Sequence, residues 1–130
     1  MESKNRPGYI SWSRLKKSFH YASAGIIFAW KNEQNFRIHL TAAILVFIAA
    51  QLLNVPPVEQ AVLAVAIGAV LCLELLNTSI EHITDFIIQT YDERAKIIKD
   101  TAAGAVLVFS LTAAIVGIII LLPKFIHIFY

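Results

Sequence analysis

Cysteine and charge are both scarce in this sequence. Its 130 residues include a single cysteine, Cys72, so no disulfide can form within the chain. Charged residues make up only 15% of the chain and hydrophobic residues make up 58%, whereas soluble globular chains have about 25% charged residues. Because most of a small domain is surface, an ordinary soluble domain could not bury so many apolar side chains. The composition therefore excludes a soluble domain, a disordered chain and a nucleic-acid-binding arm, and it indicates a membrane protein.

The common nucleotide and zinc signatures are also missing. None of the five glycines belongs to a G-x-x-x-x-G-K-[ST] or G-x-G-x-x-G pattern. The chain has no H-E-x-x-H or C-x-x-C motif, and its four histidines are scattered, which argues against a zinc site. His82 follows Glu81 directly but points about 100° away from it on a helix, so we interpret His82 as incidental.

Three long apolar stretches predict three membrane-spanning helices. The clearest is the uncharged run Thr101–Pro123, which would be about 34 Å long as a helix against a hydrocarbon core of about 30 Å. Asn54 and the pair Pro56–Pro57 end an earlier apolar run, because proline cannot continue a helix. We predict spans at residues 38–54, 58–88 and 101–122.

The segment before the first span predicts a helix that lies on the membrane surface. Over residues 12–33, apolar residues recur at spacings of three and four, and Arg14, Lys16 and Lys17 lie on the opposite face. Basic residues also predict the orientation. Seven precede the first span and three lie between the second and third, whereas residues 54–60 contain none. The positive-inside rule therefore places the N-terminus in the cytoplasm.

The second predicted span carries polar residues at helical spacing. Glu74, Asn77, Glu81 and Asp85 form a stripe about 16 Å long on one side of the helix. A carboxylate at membrane depth costs a few kcal/mol, about 3 kcal/mol on lenient scales, so such residues are functional candidates. No Lys or Arg lies within the other two predicted spans, and we expect the stripe to have no cationic partner at membrane depth.

The residues predicted at the cytoplasmic face suit phosphoryl transfer. Carboxylates bind Mg²⁺ and basic side chains bind phosphates, and that face also carries Glu33, Lys99, Asp100, Arg14 and Lys17. Two other classes of protein stay open. A small proton- or ion-coupled transport subunit would also use intramembrane carboxylates, although its relay should continue across the whole bilayer. A non-enzymatic assembly factor would not need the stripe.

Four sequence stretches together resemble the small bacterial integral-membrane diacylglycerol kinase family, which includes the undecaprenol kinases. The likeness covers about residues 14–122. The stretches are E-L-L-N-T-S-I-E at 74–81 with Asp85 following, W-K-N-E-Q-N-F-R at 30–37, A-K-I-I-K-D at 95–100 and A-A-G-A-V at 102–106.

This resemblance implies both an architecture and an activity. The architecture is an all-α membrane protein in which residues 1–130 form one lipid kinase domain, with a surface helix, three transmembrane helices and assembly as a homotrimeric bundle. The location is the inner (cytoplasmic) membrane of a bacterium. The activity is ATP- and Mg²⁺-dependent phosphorylation of a lipid alcohol. The run from Lys99 to Gly104 resembles the undecaprenol kinases, so undecaprenol is the favoured acceptor and diacylglycerol the alternative.

The resemblance also implies roles for individual residues. Glu74 is similar to the family's general base, and Asn77 to a group that orients the cluster. Glu33 and Glu81 are similar to the magnesium ligands that also contact ATP. The remaining positions implied to contact the nucleotide are Arg14, Lys17, Tyr91, Asp92, Lys99 and Asp100. Some members of the family carry Trp where this chain has Ser23, near the lipid entry.

Overall fold

The structure is a computed structural model that describes residues 11–129, with Phe129 described by its backbone alone. Lys4 and Arg6, which contribute to the basic count before the first span, lie outside the described residues. Within this range the chain forms four helices: α1 (Trp12–Asn32), α2 (Gln34–Leu52), α3 (Pro57–Ile87) and α4 (Glu93–Phe129).

A single non-helical residue, Glu33, separates α1 from α2. Its backbone is extended, with φ −103° and ψ 117°. Its N–H still donates to the Ala29 carbonyl oxygen at 2.8 Å, and its own carbonyl oxygen accepts from the Arg37 N–H at 3.3 Å. The Arg37 guanidinium donates to the carbonyl oxygens of Lys31 and Trp30, at 3.1 and 3.4 Å. These bonds satisfy carbonyls that the end of a helix leaves without partners, so the chain bends at Glu33 without leaving the backbone unpaired.

The turn between α2 and α3 is closed by side-chain hydrogen bonds and a small apolar core. Pro57 is the first residue of α3, where its missing N–H costs nothing. Gln60 Nε2 donates to the Val55 carbonyl oxygen at 2.8 Å. Ala50, Val55 and Leu63 are buried together there, with Ile120 and Leu121 of α4 packed against them. This core joins α2, α3 and α4 at the end of the molecule opposite Glu33.

The last helix differs most from the sequence prediction. It begins at Glu93 instead of 101 and continues to Phe129 instead of 122. The prediction followed the uncharged run, but charged residues do not end a helix, and Asp92 provides a cap because its Oδ1 accepts from the Arg94 backbone N–H at 2.8 Å. Residues 93–100 are therefore helical, and this places Lys99 on α4 beside α3.

Three of the helices, α2, α3 and α4, are long and apolar enough to cross a bilayer. Many of their large apolar side chains are exposed, including Val65 on α3 and Leu107, Val108 and Ile119 on α4. In water this exposure would be unfavourable, whereas in a bilayer it is the expected surface. The protein is thus an all-helical, multi-pass membrane protein. The amphipathic surface position of α1 and the homotrimer stay predictions.

Candidate functional site

Polar residues dominate the buried face of α3. Six residues of this helix are buried, and four of them are polar: Glu74, Asn77, Thr78 and Thr84. Glu74 is 2% exposed and Asn77 is 6% exposed. A spanning helix that directs polar side chains inward and apolar ones outward has the pattern expected of a protein with an internal polar site.

Asn77 connects two turns of the polar face. Its Nδ2 donates to Oε1 of Glu81 at 3.2 Å. Its Oδ1 is buried and has no hydrogen-bond partner among the described residues. Leaving a buried oxygen unsatisfied costs about 1–3 kcal/mol, so this oxygen is suited to accept from a donor or to face a cation that is not part of the chain.

Glu33 joins this cluster from the junction of α1 and α2. The negative charges of Glu81 and Glu33 both act on Glu74, so Glu74 has two carboxylate neighbours, one on its own helix and one at the junction of α1 and α2. Nε2 of His82 lies 3.5 Å from Oε1 of Glu33. The His82 ring also packs edge-on against Phe28 of α1, with centroids 5.3 Å apart. Neighbouring carboxylates are stabilised by positive charge from elsewhere or by binding a proton.

The donor atoms of this cluster fit magnesium bound with a nucleotide. No three His, Cys, Asp or Glu side chains of residues 11–129 are arranged to hold a metal ion by themselves. Mg²⁺ usually takes only one or two protein carboxylates and completes its shell with water and substrate phosphates. Glu33 and Glu81 would supply the carboxylates, and the Asn77 amide donates to Glu81 at 3.2 Å. The set consists of hard oxygen donors, as Mg²⁺ requires.

Asp85, the last member of the stripe, has a cationic partner. Nζ of Lys99 donates to both carboxylate oxygens of Asp85, at 2.9 and 3.0 Å. The positive charge of Lys99 also acts on Glu81. The expectation of no cationic partner concerned membrane depth, whereas Asp85 lies near the C-terminal end of α3 and its side chain is 62% exposed. Lys99 reaches it because α4 begins earlier than predicted and carries Lys99 alongside α3. Lys99 reaches the edge of the acidic cluster, where it can also meet phosphate.

Two of the predicted nucleotide contacts, Tyr91 and Asp92, lie in the segment between α3 and α4. Tyr91 is 84% exposed. The side chain and the backbone N–H of Arg94 both donate to the Asp92 carboxylate and hold its pKa below the usual value. In this structure Asp92 caps α4. Asp100 is exposed on the same helix.

Arg14 and Lys17 are not brought to the acidic cluster within one chain. Both are exposed on the first turns of α1. With a rise of about 1.5 Å per residue, they lie about 28 and 24 Å along the helix axis from Glu33. Their predicted contact with the nucleotide is untested.

Sequence reasoning missed the contact of His82 with Glu33. The interpretation of His82 as incidental compared its direction with Glu81 alone. On the helix, His82 points toward the flank of α3 that α1 covers, where Thr78 and Ser79 line a groove together with Ala22 and Phe28. The break at Glu33 was the missing information, because it turns that carboxylate toward this flank.

A bundle of spanning helices around the buried Glu74, with Glu33 and Glu81 beside it, defines a small multi-pass membrane protein with an acidic site. The chain belongs to the prokaryotic diacylglycerol kinase family, whose model matches residues 20–121. This confirms the resemblance drawn from the four sequence stretches, and with it the assignment to the lipid kinases.

Three relatives illustrate the range of the family. An undecaprenol kinase of Bacillus subtilis is 40% identical over 124 residues, covering 95% of this chain and 99% of that protein. A diacylglycerol kinase of Synechocystis is 47% identical over 110 residues, covering 84% of this chain but only 63% of that protein. A diacylglycerol kinase of Escherichia coli K12 is 32% identical, covering 88% of this chain and 93% of that protein. This chain thus spans less than two thirds of the Synechocystis protein and nearly the whole length of the other two.

Proposed function

We propose that this protein transfers the γ-phosphate of ATP to the hydroxyl group of a membrane lipid, with undecaprenol as the acceptor and diacylglycerol as the alternative. The observation that carries the proposal is the buried Glu74 beside the hydrogen-bonded pair Asn77–Glu81. Family membership supports the same class of reaction. A carboxylate buried at membrane depth is costly, and this cost favours a functional role for Glu74.

In this proposal Glu74 is the general base. Its carboxylate accepts the proton of the lipid alcohol while the alcohol oxygen forms a bond to the γ-phosphorus of ATP. The bond between that phosphorus and the β,γ-bridging oxygen breaks, and ADP leaves with the bonding electrons. Burial of Glu74 supports this role, because a base that is excluded from bulk water can be held against one substrate hydroxyl.

Glu33 and Glu81 are the proposed magnesium ligands. A divalent ion there would supply the positive charge that three neighbouring carboxylates and a triphosphate need. Asn77 holds the Glu81 carboxylate through its Nδ2, which leaves the other Glu81 oxygen for binding. Asn77 thus orients one ligand from the buried side of the helix.

Lys99 is the proposed phosphate contact, supported by its position at the edge of the acidic cluster. Its hydrogen bonds to Asp85 keep the ammonium group on the side of α4 that faces α3. Asp100, Tyr91 and Asp92 are proposed to contact the nucleoside, and Arg14 and Lys17 are proposed as further basic contacts. These assignments rest on the sequence motifs alone.

Undecaprenol is favoured over diacylglycerol by the end-to-end match to the Bacillus subtilis undecaprenol kinase. The higher identity to the Synechocystis diacylglycerol kinase covers a smaller part of both chains, and it keeps diacylglycerol as the alternative. Both lipids present a primary alcohol at the membrane surface, so the same chemistry serves either.

The protein is proposed to assemble as a homotrimer in the bacterial inner membrane, with the N-terminus in the cytoplasm. Residues 1–130 are proposed to form one domain. An arc of exposed apolar side chains on α4 supports contact with other subunits or with lipid. The excess of Lys and Arg before α2 and between α3 and α4 supports the orientation. Glu33, Glu74 and Glu81 then face the compartment that contains ATP.

The test is phosphate transfer by the purified full-length protein in detergent micelles, with γ-labelled ATP and Mg²⁺. Undecaprenol and diacylglycerol are offered separately at equal mole fraction. We expect stronger labelling of undecaprenol than of diacylglycerol. Labelling of both lipids would mean that the enzyme is promiscuous. Stronger labelling of diacylglycerol would contradict the choice of acceptor, and no labelling of either lipid would contradict the kinase assignment.

A further inference from the structure

His82 connects α3 with the junction of α1 and α2. Its Nε2 lies 3.5 Å from the Glu33 carboxylate. Its ring meets the Phe28 ring at 66° with centroids 5.3 Å apart. One contact fixes the polar edge of the imidazole and the other fixes its flank, so the side chain is held between two elements although it is 57% exposed.

Glu33 needs such a contact more than the other carboxylates of the cluster. It occupies the non-helical position between two helices, so no helical neighbours restrict its side chain. The negative charge of Glu74 interacts with it and repels its carboxylate toward solvent. Glu81, by contrast, is held by the Asn77 amide. Without a donor of its own, Glu33 would turn away from the site.

We propose that His82 is a positioning residue that holds Glu33 for magnesium and the nucleotide phosphates. The inference rests on the proposed function, in which Glu33 is a metal ligand. A neutral imidazole that carries its proton on Nε2 can donate to Oε1 of Glu33 when the two groups approach each other, so the role requires no change in the charge of His82. At 3.5 Å the two atoms are in contact but do not form a hydrogen bond in this structure, and such contacts commonly tighten when the ligand binds.

The structure also indicates that His82 can be replaced without unfolding the protein. Its side chain is largely exposed, and Phe28 is itself 45% exposed. Removal of the imidazole therefore leaves no buried cavity. The effect should appear in metal and nucleotide binding, since groups that orient metal ligands change affinity by about 10- to 100-fold when they are removed.

The experiment measures binding directly, without turnover. A fluorescent, non-hydrolysable ATP analogue is titrated with Mg²⁺ in the presence of the full-length protein in micelles. We expect His82→Ala to raise the Mg²⁺ concentration for half-maximal binding by about tenfold. His82→Gln should recover most of the affinity, because its amide also donates. The matched control is His127→Ala. His127 lies near the C-terminal end of α4, and this variant should bind Mg²⁺ and the ATP analogue as the wild type does.

Two outcomes would overturn the inference: His82→Ala binding at wild-type Mg²⁺ concentrations, or His82→Gln binding as weakly as His82→Ala. Either result leaves the proposed function intact if the wild type transfers phosphate to lipid. If the wild type binds no nucleotide at any Mg²⁺ concentration and labels no lipid, the proposed function itself fails, and the role of His82 fails with it.

Discussion

Lys99 on α4 and Asp85 on α3 form a two-pronged ion pair, with Nζ 2.9 and 3.0 Å from the two carboxylate oxygens. The pair joins the two longest helices at the end where the acidic cluster lies. Asp85 thereby fixes the position of the cation that we propose to contact the ATP phosphates.

The first prediction concerns this pair. Asp85→Asn should weaken ATP binding, because Lys99 loses the partner that holds it toward α3. Lys99→Met should weaken binding further, because it removes the charge itself. Both variants should unfold close to the wild-type midpoint, since exposed ion pairs contribute little to stability. The KM for ATP and a denaturation curve in micelles measure the two effects.

Lys96→Met is the matched control, because Lys96 is an exposed lysine one turn earlier on α4. It should leave the KM for ATP unchanged. An equal rise in KM for Lys96→Met and Lys99→Met would mean that only the general positive charge of this region matters.

The second prediction concerns the unsatisfied oxygen of Asn77. Asn77→Leu has a similar volume and removes a buried oxygen that has no partner in the described part of the chain. Removing an unsatisfied buried group removes its cost, and Glu81, which loses the Asn77 hydrogen bond, is partly exposed and can bond to water instead. We expect the free energy of unfolding to stay within about 1 kcal/mol of the wild type while the rate of phosphate transfer falls by about 100-fold.

A separation of stability from activity at Asn77 would show that the residue is kept for function. If Asn77→Leu instead lowers the free energy of unfolding enough to account for its loss of phosphate transfer, the amide serves the fold. Its proposed role in orienting Glu81 is then wrong.

The third prediction concerns Asp92 and pH. The hydrogen bonds from Arg94 hold the pKa of Asp92 below its ordinary value of 3.8. A carboxyl group with a lowered pKa stabilises the folded state above its unfolded-state pKa, and this contribution is lost as the pH falls through the folded pKa. Protection of the first amides of α4 against hydrogen exchange should therefore decline below about pH 3.8.

Asp92→Ala should remove this protection at neutral pH and make the first turn of α4 insensitive to acid. Asp92→Asn should retain the cap, because asparagine also caps helices well. Unchanged exchange in Asp92→Ala would mean that the cap does not determine where α4 begins.

The sequence predicted the number of spanning helices because apolar runs of membrane length are a direct signal. It misplaced the start of α4, since the run of uncharged residues ends at Thr101 whereas the helix begins at Glu93. Capping by Asp92 depends on a local hydrogen bond that hydropathy does not report. The ion pair of Asp85 with Lys99 was missed for the same reason.

The polar stripe was predictable from helical spacing, and the burial of Glu74 and Asn77 agrees with it. The contact between Glu33 and His82 was not predictable in this way. It depends on how the chain turns at Glu33 after α1, a turn that Arg37 bridges by hydrogen bonds to the carbonyl oxygens of Trp30 and Lys31. Spacing along one helix contains no information about a bend between two others.

Glu74→Gln tests the central claim most directly, because it removes the proposed base with almost no change in shape. Two quantities are measured on the same purified sample: transfer of labelled phosphate from ATP to lipid, and binding of a non-hydrolysable ATP analogue with Mg²⁺. We expect transfer to fall by about 100- to 10,000-fold while nucleotide binding stays within about threefold of the wild type. Transfer at a near-normal rate by Glu74→Gln would contradict the assignment of Glu74 as the base.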